Sequence, residues 1–240
     1  MKLFPKTSGW FGGLFAAAFC LLSITGAKAQ LLWYNGDRNA VNSMWGTSDG
    51  TNAEFVYDDF NVTAPGGWQV SSVFVNIKLL STVDTANWEI LSGVSSGNGG
   101  TVVQSGTGSA LTLTPLSTLS GGYTLYQASV NDLSFNLAPG TYWLGVQPIS
   151  SDPGYIVTTS GASAVGTPAG NDGNAYYSQT DGIPGDGVSF ASTTTVNPNL
   201  IDFSMGVMGT ASVPEPSSSA LCFVGFGLLV VYLRKRLARV

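Results

Sequence analysis

The fold class follows from one stretch of the sequence, Val73-Phe74-Val75-Asn76-Ile77-Lys78-Leu79. Every second residue is aliphatic, which is the period of a β-strand with one face turned to a core. Lys78 falls on the opposite face, which we expect to meet solvent. The period of 3.6 of an α-helix would scatter the same aliphatic side chains around its axis, so a helix is excluded here.

Further strands are predicted on both sides of this stretch, separated by turns such as Pro65-Gly66-Gly67. They cover 31–34, 55–60, 70–80, 88–91, 101–104, 111–114, 123–130, 141–149, 155–159, 176–179 and 201–208. Residues 135–146, FNLAPGTYWLGV, are typical of two strands joined by a tight hairpin turn. Many short strands without a fixed-period repeat predict an all-β fold, a single β-sandwich or jelly-roll-like domain.

Large aromatic side chains are the expected anchors of the core. Those in or beside the predicted strands are Phe55, Phe60, Trp68, Phe74, Trp88, Phe135 and Trp143. Each buried ring stabilises the fold by roughly 1.5–3 kcal/mol. Both cysteines lie in the terminal segments, so the predicted domain must fold without an internal disulfide.

The charged residues exclude several classes of function. The chain has no histidine, which excludes a histidine base, a histidine metal ligand and a Ser-His-Asp triad. Between 30 and 213 the basic residues are Arg38 and Lys78, against thirteen aspartates and glutamates, a net charge of −11. The sequence therefore predicts no nucleic acid partner, because phosphate binding needs clustered Lys and Arg.

The N-terminal residues predict a secretory signal peptide over 1–29. Two lysines precede an uncharged apolar stretch at 9–24, and Ala27 and Ala29 occupy the −3 and −1 positions of a signal peptidase site. We expect signal peptidase to cleave after Ala29, so that Gln30 begins the exported protein.

The C-terminal residues form three consecutive parts. Pro214-Glu215-Pro216 is followed by an apolar stretch at 220–233 and then by the basic cluster Arg234-Lys235-Arg236. Fourteen residues of helix reach about 21 Å at ~1.5 Å a residue, whereas a hydrocarbon core is ~30 Å thick. We therefore expect a short, marginal transmembrane helix whose basic end stays in the cytoplasm.

These three parts, in this order behind a signal peptide, resemble the PEP-CTERM sorting signal of Gram-negative bacteria that produce exopolysaccharide. The resemblance covers 213–239. It implies that exosortase, an integral membrane transpeptidase-like enzyme, recognises Pro214-Glu215-Pro216 and removes the segment during export to the cell surface. Tyr57-Asp58-Asp59-Phe60 and Trp88-Glu89-Ile90 also resemble an ectodomain type that recurs in PEP-CTERM proteins, which implies a fold but no activity.

Residues for enzymatic chemistry are few between 30 and 213. A glycosidase needs two carboxyl groups ~5–9.5 Å apart. The glutamates there are Glu54 and Glu89, and each would need a partner such as Asp58 or Asp59. Asp58 and Asp59 are neighbours on a predicted strand, so we expect solvated carboxylates on opposite faces that do not pair. Lys78 is the one lysine available to activate a serine, and its place in an alternating strand argues against that role.

The sequence commits to no cofactor and no metal. Calcium is the ion that it favours most, because Asp172, Asp181 and Asp186 lie in loops with Asn and Gly, and calcium takes six to eight oxygen ligands. Their spacing matches no EF-hand, and Asn-Gly and Asp-Gly are also frequent in turns. A structural calcium ion and ordinary turns therefore remain as alternatives.

Carbohydrate binding is the best-supported ligand hypothesis from sequence, since sugars stack on exposed aromatic rings. Trp45 is the candidate, because residues 42–52 are polar and show no alternation. The sequence thus predicts a signal peptide at 1–29, a β-sandwich ectodomain at 30–213 and a sorting signal at 214–240, with a transmembrane segment at 220–233 and a basic tail at 234–240. We expect a non-enzymatic surface protein associated with extracellular polysaccharide or biofilm. The alternatives are a polysaccharide hydrolase with a carboxylate pair and an adhesin for a protein partner.

Overall fold

The computed structural model describes residues 28–48, 53–170, 172–180 and 190–212, together with residues 232, 234, 235, 237 and 238. Its strands form two sheets in which the paired strands are antiparallel. The first sheet contains β1 (Gln30–Tyr34), β2 (Arg38–Trp45), β4 (Trp68–Leu79), β7 (Leu111–Thr118), β8 (Thr124–Val130), β9 (Phe135–Leu137), β11 (Tyr155–Thr159) and β14 (Met205–Ala211). The second has the order β13 (Ala191–Ser192), β12 (Tyr176–Thr180), β3 (Ala53–Val62), β10 (Gly140–Pro148), β5 (Ala86–Ser92) and β6 (Thr101–Gly108). The all-β prediction is confirmed, and the two sheets agree with a β-sandwich.

Strand β4 is the centre of the first sheet. It pairs with β9 and β8 along one side and with β14 and β11 along the other. Val73, Val75 and Ile77 are fully buried, as their alternation predicts. The side chains of β4 with the opposite parity form the outer face of the sheet. This face was expected to meet solvent, but Phe74 and Asn76 are buried there and Lys78 is half-buried, because other side chains cover the sheet.

The main core fills the space between the two sheets. Phe60 on β3 stacks on Trp68 of β4 with 5.8 Å between ring centroids, which joins the second sheet to the first. Trp33 packs against Phe60 at 5.4 Å, and Trp88 is buried against the half-buried Phe135. The expected core roles of Phe60, Trp68 and Trp88 are confirmed.

A smaller apolar cluster lies on the outer face of the second sheet. It contains Tyr57, Trp143 and Phe190, with Phe55 half-buried beside them. Trp143 is therefore buried as predicted, but outside the main core. Phe74, also buried, packs on the outer face of the first sheet against Tyr34, at 5.7 Å.

The predicted hairpin at 135–146 is wrong. Strand β9 pairs with β4 in the first sheet, whereas β10 pairs with β3 and β5 in the second. The turn at Pro139-Gly140 therefore carries the chain from one sheet to the other. The hydroxyl of Tyr142 donates to the carbonyl oxygen of Ala138 at 3.0 Å, a bond that fixes this crossing in the way of a tyrosine corner.

Two further elements differ from the sequence prediction. Strand β2 was expected to be partly an irregular polar segment, but it pairs with β11 along an edge of the first sheet. The last strand begins at Met205, not at residue 201. The residues before it turn inward, because Asp202 and Phe203 are both fully buried.

Candidate functional site

The outer face of the first sheet carries a row of cross-strand neighbours at the β2–β11–β4 edge. Tyr155 on β11 lies opposite Trp45 on one side and opposite Lys78 on the other. Residues at directly opposite positions in a sheet project to the same face. The pleat therefore places two aromatic rings and an ammonium group side by side on this surface.

The ammonium group of Lys78 lies over two tyrosine rings. Its Nζ is 4.8 Å from the ring centroid of Tyr155 and 5.8 Å from that of Tyr123. These are cation–π distances. The rings of Tyr123 and Tyr155 meet edge to face at 6.0 Å, so each ring restricts the other. Partial burial lowers the pKa of Lys78.

A groove of about 290 Å³ adjoins this row of side chains. We call it the basic groove; its polar and aromatic walls include Arg38, Asn42, Lys78, Ser120 and Tyr123. Arg38 and Lys78 are the two basic residues of the sequence between 30 and 213. This otherwise acidic part of the chain therefore presents both of its cations at one site.

Trp45, predicted as an exposed ligand-binding ring, is 38% exposed. It is the last residue of β2 rather than part of a loop. Its ring packs 6.3 Å from that of Tyr155, and its Nε1 donates to the carbonyl oxygen of Thr47 at 3.1 Å. The indole is thus held against Tyr155, which neighbours Lys78, and remains partly exposed.

A second polar site lies inside the molecule. One carboxylate oxygen from each of Asp58, Asp59 and Asp172 lies within 4.8 Å of the others. We call these three residues the acidic cluster. Asp58 and Asp59 belong to β3 and are buried, whereas Asp172 is exposed in the connection between β11 and β12.

Hydrogen bonds tie the acidic cluster to the first sheet. Asn35, which directly follows β1, donates from Nδ2 to Asp58 Oδ2 at 2.7 Å, and the backbone N–H of Phe203 donates to the same oxygen. The backbone N–H of Gly173 donates to both carboxylate oxygens of Asp202, at 3.2 Å each. The cluster therefore lies where β3, the connection at 172–174 and the segments flanking β1 and β14 meet.

Two buried oxygens at this site accept no hydrogen bond from any residue that the structure describes. They are Oδ1 of Asp59 and Oδ1 of Asn35. Asp59 is 3% exposed and Asn35 is 1% exposed. A buried polar atom without a partner costs about 1–3 kcal/mol, so such atoms require an explanation.

Burial raises the pKa of both aspartates of β3. For Asp58 burial acts first and the Asp202 charge second, and together they raise the pKa well above its usual range. For Asp59, burial followed by the charges of Asp172 and Asp202 raises the pKa to about 7. Loss of hydration on burial is the larger cause and repulsion by negative neighbours the smaller one, because both disfavour the charged form.

The sequence expectation for Asp58 and Asp59 is corrected here. They are not solvated, and their carboxylates approach each other although they alternate along β3. One reason is local: Asp58 Oδ1 accepts the backbone N–H of Asp59 at 3.0 Å, which turns the first carboxylate along the strand. Strand alternation could have indicated that Asp58 faces inward. Val56, Asp58 and Phe60 share one parity on β3, and both apolar residues are fully buried.

The predicted calcium ligands are only partly placed. Asp172 lies in the acidic cluster, and its carboxylate accepts from the backbone and side chain of Asn174 at 3.3 and 3.2 Å. Asp181 and Asp186 lie outside the described residues. The residues beside Asp172 are therefore two aspartates from a distant strand, which no local spacing could indicate.

Neither Glu54 nor Glu89 joins Asp58 and Asp59, the partners considered for a carboxylate pair, in the acidic cluster. Glu54 has the parity of the inward-facing Val56 on β3. Glu89 has the opposite orientation in the sheet, because it lies between the inward-facing Trp88 and Ile90, and it accepts a hydrogen bond from the Tyr57 hydroxyl at 2.9 Å. The two carboxyl groups thus belong to opposite faces of the second sheet.

The predicted terminal sites lie at the margins of the described residues. Ala29 is exposed just before β1, and Ala27 lies outside the described part of the chain. Pro214, Glu215 and Pro216 also lie outside it, as does Arg236, whereas Arg234 and Lys235 are helical and exposed. In the portion that the structure describes, no helix has the length and apolar character needed to cross a bilayer.

Comparisons with known proteins identify the C-terminal segment. The family model of the PEP-CTERM protein-sorting motif matches residues 212–236. No curated protein and no solved structure matches the chain. The sorting motif predicted from the sequence is therefore confirmed; it implies an exported protein, processed by exosortase and sorted to the cell surface of a Gram-negative bacterium.

Proposed function

We propose that this exported PEP-CTERM protein is a non-enzymatic component of the cell surface that binds an anionic extracellular polysaccharide in its basic groove. The observation that carries the proposal is the position of Arg38 and Lys78, the two cations between 30 and 213, in the wall of one groove. The other charged side chains between 30 and 213 are the thirteen acidic ones, so on average they repel a polyanion.

The chemistry of the groove suits acidic sugar units. A guanidinium group offers paired N–H donors that match a carboxylate, and the Lys78 ammonium supplies a second positive charge. Tyr123 lines the groove with both cations, Lys78 also lies over the ring of Tyr155, and Trp45 packs against Tyr155, so these rings offer surfaces beside Lys78 on which sugar rings stack. Charge and stacking together favour a uronic acid polymer over a neutral one.

The size of the groove supports a short segment of polymer. At about 290 Å³ it lies just below the ~300–1,000 Å³ range of small-molecule sites. An open groove at a sheet edge lets a polymer continue beyond the contact on both sides. Many weak contacts along one polymer then hold many copies of the protein through multivalency.

The test is binding of the exported protein to polygalacturonate, with dextran as the neutral polymer. We expect binding to polygalacturonate and none to dextran. The double variant Arg38→Gln, Lys78→Gln should bind about 100-fold more weakly, since each lost charged hydrogen bond costs about tenfold or more.

A matched control variant distinguishes the effect of a cation in the basic groove from the effect of the net charge of the protein. Lys78→Gln combined with Ser96→Lys keeps the net charge but moves one cation to the exposed connection between β5 and β6. It should bind as weakly as Lys78→Gln alone. Wild-type affinity in the moved-charge variant, or equal binding to dextran, contradicts the proposal.

Processing at the sorting motif is a separate part of the proposal. We infer that the mature protein ends near Pro214 and carries neither the apolar stretch at 220–233 nor the basic tail. Intact mass of the protein from cells with and without exosortase measures this. Residues beyond 219 in surface material from normal cells would contradict it.

A further inference from the structure

The acidic cluster combines features that a buried site does not ordinarily tolerate. Two of its carboxylates, Asp58 and Asp59, are almost fully buried, and the third, Asp172, lies against them. Buried charges persist in proteins when they are paired or coordinate a metal ion. Arg38 and Lys78 line the basic groove, so neither cation is one of the groups gathered here.

A second observation indicates that the acidic cluster binds a cation. Oδ1 of Asn35 and Oδ1 of Asp59 are buried and accept no hydrogen bond from the described residues. The Asn35 carboxamide faces the cluster, because its Nδ2 donates to Asp58 Oδ2 at 2.7 Å. Oδ1 of Asn35 therefore belongs to a carboxamide that is already held against the carboxylates. A cation bound at the cluster would give both Asn35 Oδ1 and Asp59 Oδ1 a partner.

We propose that the acidic cluster, completed by Oδ1 of Asn35, is a calcium-binding site. The donors are all carboxylate or amide oxygens, which hard cations prefer, and no nitrogen or sulfur ligand is among them. Calcium accepts irregular arrangements of six to eight oxygens, whereas magnesium demands a near-ideal octahedron. Four side chains leave room for second carboxylate oxygens and water to complete such a shell.

The position of the site gives the ion a structural task. Asp58 and Asp59 come from β3 of the second sheet, and Asn35 directly follows β1 of the first. Asp172 adds the connection that leads from β11 to β12. One ion therefore joins the two sheets and a surface connection in a domain that has no disulfide to do so.

Calcium titration of the exported protein, recovered from the cell surface and treated with EDTA, tests the proposal. We expect one ion per chain by calorimetry. Extracellular calcium modules bind with dissociation constants of about 10⁻⁴–10⁻³ M, so 10 mM CaCl₂ should raise the melting temperature by about 3–10 °C. Equal ionic strength of NaCl should leave it unchanged, and an equal rise with MgCl₂ would overturn the assignment to calcium.

Asp172→Ala is the first variant, because the residue is exposed and we expect its loss to leave the fold intact. The calcium-induced rise should fall below about 2 °C. Asp84→Ala, which removes another exposed carboxylate outside the cluster, is the control and should keep the full rise.

Asp59→Asn tests whether a lost calcium response could simply be the result of a destabilised fold. It removes a buried negative charge, so the protein in EDTA should melt at the same temperature as the wild type or higher, and calcium should add nothing. The proposal is overturned if wild-type protein shows no calcium-induced rise, or if Asp172→Ala and Asp59→Asn respond to calcium as Asp84→Ala does.

Discussion

The basic groove and the acidic cluster differ in the sign of their charges and in how far those charges are buried. The groove presents two cations in one wall, and one of them, Lys78, lies over two tyrosine rings. The cluster holds carboxylates where the two sheets meet, with Asp58 and Asp59 removed from water. The net charge of the chain describes neither region, since one attracts anions and the other attracts a cation.

The two regions also differ in what they cost the fold. The ammonium group of Lys78, half-buried over aromatic rings, loses part of its hydration and gains roughly 0.5–2 kcal/mol from the contact. Each buried carboxylate loses its hydration and repels its neighbours, which raises its pKa. We therefore expect mutations in the cluster to change stability and mutations in the groove to change binding.

The largest effect is expected for Asn35→Ala in the presence of EDTA. The change removes the side-chain donor to Asp58 Oδ2 and leaves a buried carboxylate less satisfied, so the free energy of unfolding should fall by about 3 kcal/mol. Urea denaturation measures it. Asn61→Ala is the control, because Asn61 lies on β3 like Asp58 but makes its side-chain hydrogen bond to Thr141 at an exposed position, and it should cost less than about 1 kcal/mol. If the two variants lost equal amounts of unfolding free energy, the hydrogen bond from Asn35 to Asp58 would be no more important for stability than an exposed one.

The next effect is a pH dependence of the protein in EDTA. Because the pKa values of Asp58 and Asp59 are raised in the folded state, the fold holds their protons more tightly than the unfolded chain does. The free energy of unfolding should therefore fall as the pH rises from about 4 to about 7, the window set by Asp59, and Asp58 extends the same trend. Urea midpoints between pH 4.5 and 8 measure this.

Asp59→Asn sharpens the pH experiment, because it removes one of the two titrating groups. The slope of stability against pH should become shallower in this variant. An unchanged slope would assign the pH dependence to groups outside the acidic cluster.

A smaller effect is expected from the aromatic part of the groove. Tyr155→Ala removes the ring nearest to Lys78 Nζ and the neighbour of Trp45, so affinity for polygalacturonate should fall about 5- to 10-fold. Tyr155→Phe keeps the ring and should bind within about twofold of the wild type. Equilibrium binding of both variants decides whether the ring or only the charge matters.

The smallest effect separates the two regions by salt. Raising NaCl from 50 to 300 mM shortens the Debye length from about 14 Å to below 6 Å, so binding at the exposed groove should weaken several-fold. Calcium affinity at the buried cluster should change less, because buried charges are screened less. A larger salt effect on calcium than on polygalacturonate would reverse the comparison.

The sequence predicted those parts of the fold that are set by local alternation. Val73, Val75 and Ile77 on β4 are buried as their period demands, and β11 has the predicted bounds. The turn at Pro139-Gly140 was wrongly predicted to close a hairpin. The local sequence of a tight turn is the same whether the two strands it joins pair with each other or enter different sheets. Only tertiary packing assigns β9 and β10 to different sheets.

The candidate sites were harder to predict for the same reason. Trp45 was recognised as an exposed ring, but its proximity to Lys78 through Tyr155 depends on strand order. Asp172 was recognised as an oxygen donor, but Asp58 and Asp59 are more than a hundred positions away in the chain. Adjacent aspartates in an otherwise apolar strand were the available signal, and alternation marks Asp58 as inward-facing.

The most direct test of the division between the two regions is one crystal structure of the exported protein grown with calcium chloride and a trigalacturonate, with anomalous data collected for calcium. We predict an anomalous peak among Asp58, Asp59 and Asp172, and sugar density with its carboxylates against Arg38 and Lys78. Calcium elsewhere with the cluster empty, or the acidic sugar bound away from the groove, would contradict the account.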